Sequence, residues 1–362
     1  MSDIQNTGDR VSPAAVHAKV ALVVGANGII GNAVAQELKR EGWRVRALDR
    51  RTVTGTETVI ADLTDADAVA LAVKAARDTT HVFYAAFSPD PDLAVEANRN
   101  AGMLANVLDG LERADSALER VVIYQGFKIY GSHLGATVRT PALENDAGHM
   151  PPNLYLAQEA QLKQRADKAR WDYVALRPDL VIGDIFGNPM NIALVIGVFA
   201  ALSRELNIPM RFPGTDKAYG QLQQFTDAGL LARASVWAAL SETAGGEAFN
   251  ITNGDIFRWE RMWEDAARHL GMETASVVPL TLTRHMPDKA ALWREISERH
   301  GLIQPDLEKL VQWGFGDFIF HTETDIISDT NKIYRYGFTE RVDSKASLFE
   351  ALDSLRKQRV LP

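Results

Sequence analysis

Val20-Ala-Leu-Val-Val-Gly25-Ala-Asn-Gly28-Ile-Ile-Gly31 is the stretch that decides the fold. Five consecutive apolar residues have the length and continuity of a strand buried on both faces. Glycines at 25, 28 and 31 follow at once, and Ile30, Val34 and Leu38 then repeat at helical spacing up to Gly42. A strand, a glycine turn and a helix in that order form the first half of a βαβ unit.

Working outward, the apolar runs recur at 44–48, 58–61, 81–86, 120–124 and 173–176, with helical patterns between them, notably at 66–76 and 101–111. Continuous apolar strands alternating with helices imply a parallel sheet covered on both faces, a Rossmann-type doubly wound α/β fold. The alternation breaks after Arg177-Pro178, where Gly183, Gly187, Pro189, Pro209, Pro213 and Gly214 punctuate the chain. One further strand-like run, 247–252, precedes the turn Asn253-Gly254, and the remainder is mostly helical, with aromatic patches at 259–263 and 313–320. The expected organisation is a flexible tail over 1–18 and a nucleotide-binding core over 19–185. An interleaved, mainly helical substrate lobe follows over 186–362, with 220–255 returning to the core.

The 362 residues correspond to about 2.4 typical domains, ample for a core without staples. The net charge of −8 argues against nucleic acid or an anionic membrane as partner. The absence of cysteine excludes disulfide scaffolds, thiolate metal sites and cysteine nucleophiles. The eight histidines show no paired-ligand spacing, so no metal site is expected. Gly131-Ser-His-Leu-Gly135 misplaces the serine of a hydrolase elbow. No basic region followed by an apolar stretch opens the chain, and the longest apolar run, 192–202, is short of the ~18–20 residues that span a bilayer. A buried helix and a cytoplasmic location are the expectations.

The glycine spacing, two residues between each pair, is that of the short-chain dehydrogenase/reductase fingerprint. Its first glycine permits a tight turn, the second lets backbone approach a pyrophosphate, and the third allows close helix–strand packing. The second strand ends on Asp49-Arg50-Arg51, opposite the adenosine ribose. A carboxylate there suits the 2′-hydroxyl of NAD, and arginines suit the 2′-phosphate of NADP. With Arg44 and Arg46 adding positive potential, NADP(H) is preferred and NAD(H) stays open. Asp62-Leu63 admits two readings, an adenine-edge contact or the N-cap of the next helix. Ala85-Ala86-Phe87 closes the fourth strand with small residues that let a cofactor lie close.

A short-chain dehydrogenase usually carries Tyr-x-x-x-Lys, whose ammonium lowers the phenol pKa from one turn away. Here the segment is Tyr155-Leu-Ala-Gln-Glu159, so a carboxylate replaces the lysine and is expected to raise the phenol instead. The fifth-strand serine is missing too, but Lys128 lies in its loop and can supply the cation from a different element.

His81-Val-Phe-Tyr84, Gln125-Gly-Phe-Lys128-Ile-Tyr130, Asn153-Leu-Tyr155, Arg177-Pro178, Met190-Asn191, Phe212-Pro213-Gly214, the run from Glu247 to Asp255 and the run from Thr330 to Phe338 resemble the progesterone 5β-reductase/iridoid synthase family of atypical extended short-chain dehydrogenases/reductases. The resemblance runs from Val20 to the end. It implies Tyr155 and Lys128 as catalytic residues and NADPH-dependent reduction of the C=C bond of a small apolar enone or enal. The chemistry agrees: conjugate hydride addition builds an enolate oxygen, a neutral Tyr155 hydroxyl can stabilise it, and water can supply the proton to the α-carbon. Two alternatives stay open, a carbonyl reductase or epimerase with the same cofactor and a nonenzymatic NADP-binding sensor.

Together these readings give a cofactor set of Gly25, Asn27, Gly28, Ile29, Ile30, Gly31, Asp49, Arg50, Arg51, Asp62, Leu63, Ala85, Ala86, Phe87, Gln125, Tyr155, Pro178 and Ile182. Phe87, Met150, Phe186, Phe212, Phe315 and Phe318 are candidates for an apolar substrate pocket, each also readable as plain core. A homodimer is compatible with the sequence. The chain departs from the family at Phe87 (tryptophan in plant members), Gln125 (threonine), Leu156 (often a second tyrosine), Asp179 (glycine) and Asp49 (a small residue).

Overall fold

The computed structural model describes residues 19–136, 138–187 and 190–362. The tail expected over 1–18 and the turn residue Pro189 lie outside the described residues. Strand β1 (Val20–Val24) leads into α1 (Ile29–Arg40), followed by β2 (Arg44–Asp49), β3 (Glu57–Ile60), α2 (Ala66–Lys74), β4 (His81–Tyr84), α3 (Leu93–Arg113) and β5 (Arg120–Tyr124). A 3-10 turn, Phe127–Tyr130, separates β5 from α4 (Leu154–Ala166) and β6 (Asp172–Pro178). Next come β7 (Leu180–Ile182), α5 (Ile192–Glu205), α6 (Asp216–Tyr219), β8 (Leu222–Gln223), β9 (Phe225–Asp227), α7 (Ala228–Leu240) and β10 (Ala248–Ile251). The chain ends with β11 (Phe257–Arg258), α8 (Trp259–His269), α9 (Leu282–His285), α10 (Ala290–His300), α11 (Leu307–Leu310), α12 (Trp313–Phe320), α13 (Asn331–Arg335) and α14 (Ser344–Lys357).

Seven strands form one parallel sheet in the order β10-β6-β5-β4-β1-β2-β3. Successive residues of a strand point to opposite faces, and both faces of this sheet are covered. Ala21 and Val23 enter a core with Val34, Leu38 and Leu231, while Leu22 and Val24 enter a second core with Val69, Leu104 and Leu108. That is why β1 reads as an unbroken apolar run. The strand order runs outward in both directions from the β1/β4 pair, so a crevice opens at their C-terminal ends.

The lobe has its own core. In α5 every residue from Ile192 through Ser203 is buried, and its first turn is closed by Asn191, whose Oδ1 accepts from the Ala193 N–H (2.9 Å). Phe212, Trp259, Trp263 and Phe320 pack edge-on around it, with Phe212 5.3 Å from both Trp263 and Phe320. Among the described residues no helix is long and apolar enough to cross a membrane.

Two elements extend beyond the sequence expectation. Helix α3 starts eight residues before 101, because the Asp92 carboxylate accepts from the Ala94 and Val95 N–H groups (2.8 and 3.2 Å) and caps a polar first turn. The chain also returns to the sheet a second time at α13, which packs on β10. Lys332 there sits 2.7 Å from Glu247 and 5.0 Å above the Phe249 ring, while Ile333 and Phe338 complete the core beneath.

Candidate active site

The β1–α1 turn is built for close approach. Gly25 has φ +81, and a Cβ there would meet the Ala86 backbone at 2.9 Å. A Cβ on Gly31 would fall 2.3 Å from the Gly25 carbonyl. Gly28 is the N-cap of α1 in extended conformation, with no side chain capping the first-turn amides. Those amides, at the positive end of a twelve-residue helix, are disposed to receive an anion.

At the end of β2, Asp49 is engaged by backbone: its Oδ2 accepts from the Asn27 N–H (3.2 Å) and its Oδ1 from the Arg51 N–H (3.3 Å). Arg50 and Arg51 are exposed and, among the described residues, stand in direct ion-pair contact with no carboxylate. Arg44 and Arg46 correct the expected positive cluster. Arg46 is buried between Glu57 (2.8 Å) and Asp78, and Arg44 joins the same two carboxylates at 3.2 and 2.9 Å. Their charge is neutralised by neighbouring segments. Asp62 is not a helix cap. Its Oδ1 takes the N–H and hydroxyl of Thr64 (2.9 and 2.7 Å), and these bonds, with the Arg50 charge, hold its carboxyl below the usual range. The cap of α2 is Asp65, which accepts from Asp67 and Ala68.

A cavity of about 500 Å³ continues from this turn. Gly28, Ile29 and Ile30 line one end; Ala85, Ala86 and Phe87 follow from β4; Gly126, Phe127, Lys128 and Tyr155 form a wall; Pro178 at the end of β6 and Asp179, Leu180 and Val181 after it form another; Phe315, Phe318 and Ile319 of α12 close the roof. Phe87, Phe315 and Phe318 thus border the cavity as substrate candidates. Phe212 belongs to the lobe core, Phe186 packs against that core, and Met150 is 77% exposed away from the cavity. Leu63 and Ile182 are buried and also outside the lining.

Tyr155 and Lys128 are brought together by Asn153. Its Oδ1 accepts from the Tyr155 N–H (3.0 Å) as N-cap of α4, and its Nδ2 donates to the Lys128 carbonyl (2.8 Å). The signal for that role was an Asn just ahead of a helix. The Tyr155 hydroxyl packs on Gly126, where a Cβ would stand 3.3 Å from it. Burial holds this phenol above the usual range, helped by the Glu96 charge and opposed by a backbone hydrogen bond with Gly126. The sequence reading placed the like-signed neighbour at Glu159, but that carboxylate faces elsewhere. It lies 2.9 Å from the buried Arg177, which also donates to the Glu144 carbonyl (2.7 Å) and to Gln125 Oε1 (3.0 Å). Gln125 in turn donates to the Tyr155 carbonyl (3.2 Å), so it is a fully buried strut and does not border the cavity. Lys128 Nζ rests 5.3 Å from the Phe318 ring and, among the described residues, has no carboxylate partner.

Asp179 is a wall residue singled out from sequence only as a departure. Its Oδ1 accepts from the Leu180 N–H (2.9 Å), whereas Oδ2 is buried without a hydrogen-bond partner among the described residues. Burial pushes this carboxyl up to about 8.

Residues 34–362 match the family described as the PRISE-like Rossmann-fold domain. The chain is 30% identical to an (S)-8-oxocitronellyl enol synthase of Camptotheca acuminata, over 95% of this chain and 93% of that one. It is 28% identical to a 3-oxo-Δ(4,5)-steroid 5β-reductase of Arabidopsis thaliana, over 98% and 96%. Among solved structures, the UDP-glucose 4-epimerase of Thermus thermophilus in complex with NAD shares the fold, with a TM-score of 0.66, 18% identity and coverage of 93% and 99%.

Proposed function

Because the chain belongs to the PRISE-like Rossmann-fold family, we propose that it is an NADPH-dependent ene-reductase adding hydride to the β-carbon of a small apolar enone or enal. The observation carrying this reading is the wall of the cavity. A neutral phenol, Tyr155, and a cation, Lys128, face apolar space beside the glycine turn, while position 159 holds a carboxylate tied to Arg177.

The residues present fit a phosphorylated dinucleotide. The uncapped first turn of α1 and the absence of room at Gly25 and Gly31 suit a pyrophosphate against backbone, and Arg50 and Arg51 suit a 2′-phosphate. The cofactor supplies hydride from its dihydronicotinamide. Tyr155 donates a hydrogen bond to the oxygen on which negative charge develops, a task for a neutral phenol that needs no lowered pKa. Lys128 adds positive potential from the same wall. Phe315 and Phe318 border the same cavity and give the wall opposite Lys128 an apolar surface.

The test is NADPH oxidation with a panel of small cyclic and linear enones, followed by product identification. The expected product is the saturated carbonyl, and Tyr155→Phe is expected to lower turnover by roughly 10²–10³-fold, the usual worth of one oxyanion donor. Formation of the allylic alcohol alone, or tight NADPH binding without turnover, would overturn the reading.

A further inference from the structure

We propose that Asp49 is a positioning residue for the 2′-phosphate of NADPH: its carboxylate ties the glycine turn to the loop that carries Arg50 and Arg51, so that both phosphate sites are set before the nucleotide arrives. The proposal rests on the cofactor reading above.

A carboxylate at the end of the second strand of such a sheet ordinarily accepts from the ribose 2′-hydroxyl of NAD, and beside a 2′-phosphate it would repel. In this chain its two oxygens are engaged by backbone on either side. Oδ2 accepts from the Asn27 N–H (3.2 Å), inside the turn between Gly25 and Gly28, and Oδ1 accepts from the Arg51 N–H (3.3 Å). Asn27 closes the same ring with its own side chain, Nδ2 donating to the Arg51 carbonyl (3.4 Å). The backbone beneath is held as well: the Leu48 carbonyl accepts from the Gly25 N–H (3.1 Å) and the Asp49 carbonyl from the Ala61 N–H (3.2 Å).

The far end of the arginine loop has separate anchors. Lys39 Nζ donates to the Gly55 carbonyl (2.7 Å) and the Thr56 hydroxyl (2.6 Å), and Val53 is buried in the core that contains Leu38. Arg50 and Arg51 lie between the two sets of anchors, both exposed and, among the described residues, in direct ion-pair contact with no carboxylate. Asp62, whose carboxyl feels the Arg50 charge, is itself occupied by the N–H and hydroxyl of Thr64 (2.9 and 2.7 Å). A loop fastened at both ends presents its guanidiniums with little ordering left for the ligand to impose, and the amides on Asp49 offset part of the charge that would oppose a phosphate. Without the carboxylate, the nucleotide itself would have to order the turn and the loop, at the expense of affinity.

The test is binding and needs no substrate: wild type, Asp49→Ala and Asp49→Asn are titrated with NADPH, NADH and 2′,5′-ADP by fluorescence and calorimetry, with melting curves of the nucleotide-free proteins alongside. Asp49→Ala is expected to bind NADPH and 2′,5′-ADP roughly 10-fold more weakly and NADH no more than about 3-fold more weakly, because NADH uses the glycine turn but not the arginines. Asp49→Asn keeps an acceptor for one of the two amides and is expected to recover part of the NADPH loss. If Asp49→Ala does not fold, the same order of losses, NADPH before NADH, is required of Asp49→Asn. An Asp49→Ala protein that binds NADPH as tightly as wild type or more tightly, or that loses mainly NADH, overturns the proposal and makes Asp49 an acceptor for the ribose hydroxyl, with the dinucleotide site intact. Equal losses for both nucleotides also overturn it, leaving Asp49 a support of the turn alone. If wild type binds neither nucleotide, the cofactor reading falls and this proposal goes with it.

Discussion

Replacing Glu159 by lysine would recreate the Tyr-x-x-x-Lys spacing, and sequence logic alone expects a restored triad with an acidified phenol. The structure expects damage. Glu159 is 2.9 Å from an Arg177 side chain that is only 2% exposed, while Glu159 itself is 25% exposed. Removing one partner of a buried ion pair costs about 3–5 kcal/mol, and solvent reaching Glu159 lowers this to about 2–3 kcal/mol. Lysine adds a like charge beside the orphaned guanidinium, worth up to about 4 kcal/mol at 4 Å if it cannot swing into water. The net expectation is a loss of about 3–5 kcal/mol, or a fall in Tm of roughly 4–7 °C for a chain of 362 residues.

Glu159→Gln keeps an acceptor for Arg177 and should lose only about 1–2 kcal/mol. The strut from Arg177 through Gln125 to the Tyr155 carbonyl predicts that Glu159→Lys also lowers turnover of an enone. Thermal melts and denaturant midpoints of both variants, with Arg177→Met alone and combined, give the coupling energy directly. A Glu159→Lys protein as stable as wild type, with a phenol titrating lower and carbonyl reduction gained, would refute this reasoning.

Two further outcomes follow from the cofactor end. Gly31→Ala forces a Cβ to 2.3 Å from the Gly25 carbonyl, so the turn must open; about 2–3 kcal/mol of stability and most NADPH affinity should be lost, as read by melting and by nucleotide fluorescence titration. A wild-type titration would show that the turn has slack. Arg50→Ser with Arg51→Ser should weaken NADPH binding roughly 10–100-fold and leave NADH nearly unchanged, since charge-assisted phosphate bonds are worth about 1.5–3 kcal/mol. Equal losses for both nucleotides would mean that the arginines do not face the 2′-phosphate.

The sheet was readable because its signal is local. A strand buried on both faces is apolar at every position, and β1 and β5 span the residues that periodicity marked, 20–24 and 120–124. The glycine turn was readable for the same reason. What escaped depends on partners distant in sequence. Arg44 and Arg46 look like a basic patch until β3 and the segment before β4 bring Glu57 and Asp78 against them. Phe212 and Phe315 are indistinguishable as letters, yet one is enclosed by Trp259, Trp263 and Phe320 and the other borders the cavity. Gln125, Glu159 and Arg177 come from the end of β5, from α4 and from β6, and no pattern in any one of them announces that they meet.

That meeting connects the two departures from the usual chemistry. An i, i+4 lysine would place its charge under the phenol; the carboxylate here turns instead toward Arg177 and anchors the end of β6. The residues immediately after that anchor are Pro178 and Asp179, which the strand delivers to the cavity wall. A carbonyl reductase needs an acidified phenol because its tyrosine must give up a proton; an ene-reductase asks its tyrosine only to donate a hydrogen bond, and needs a proton source at carbon. A phenol held above its usual range by burial suits the second task. In the proposed mechanism, glutamate at 159 therefore does more than remove a catalytic cation: it releases Tyr155 from proton transfer and, through Arg177, steadies the strand end that borders the cavity.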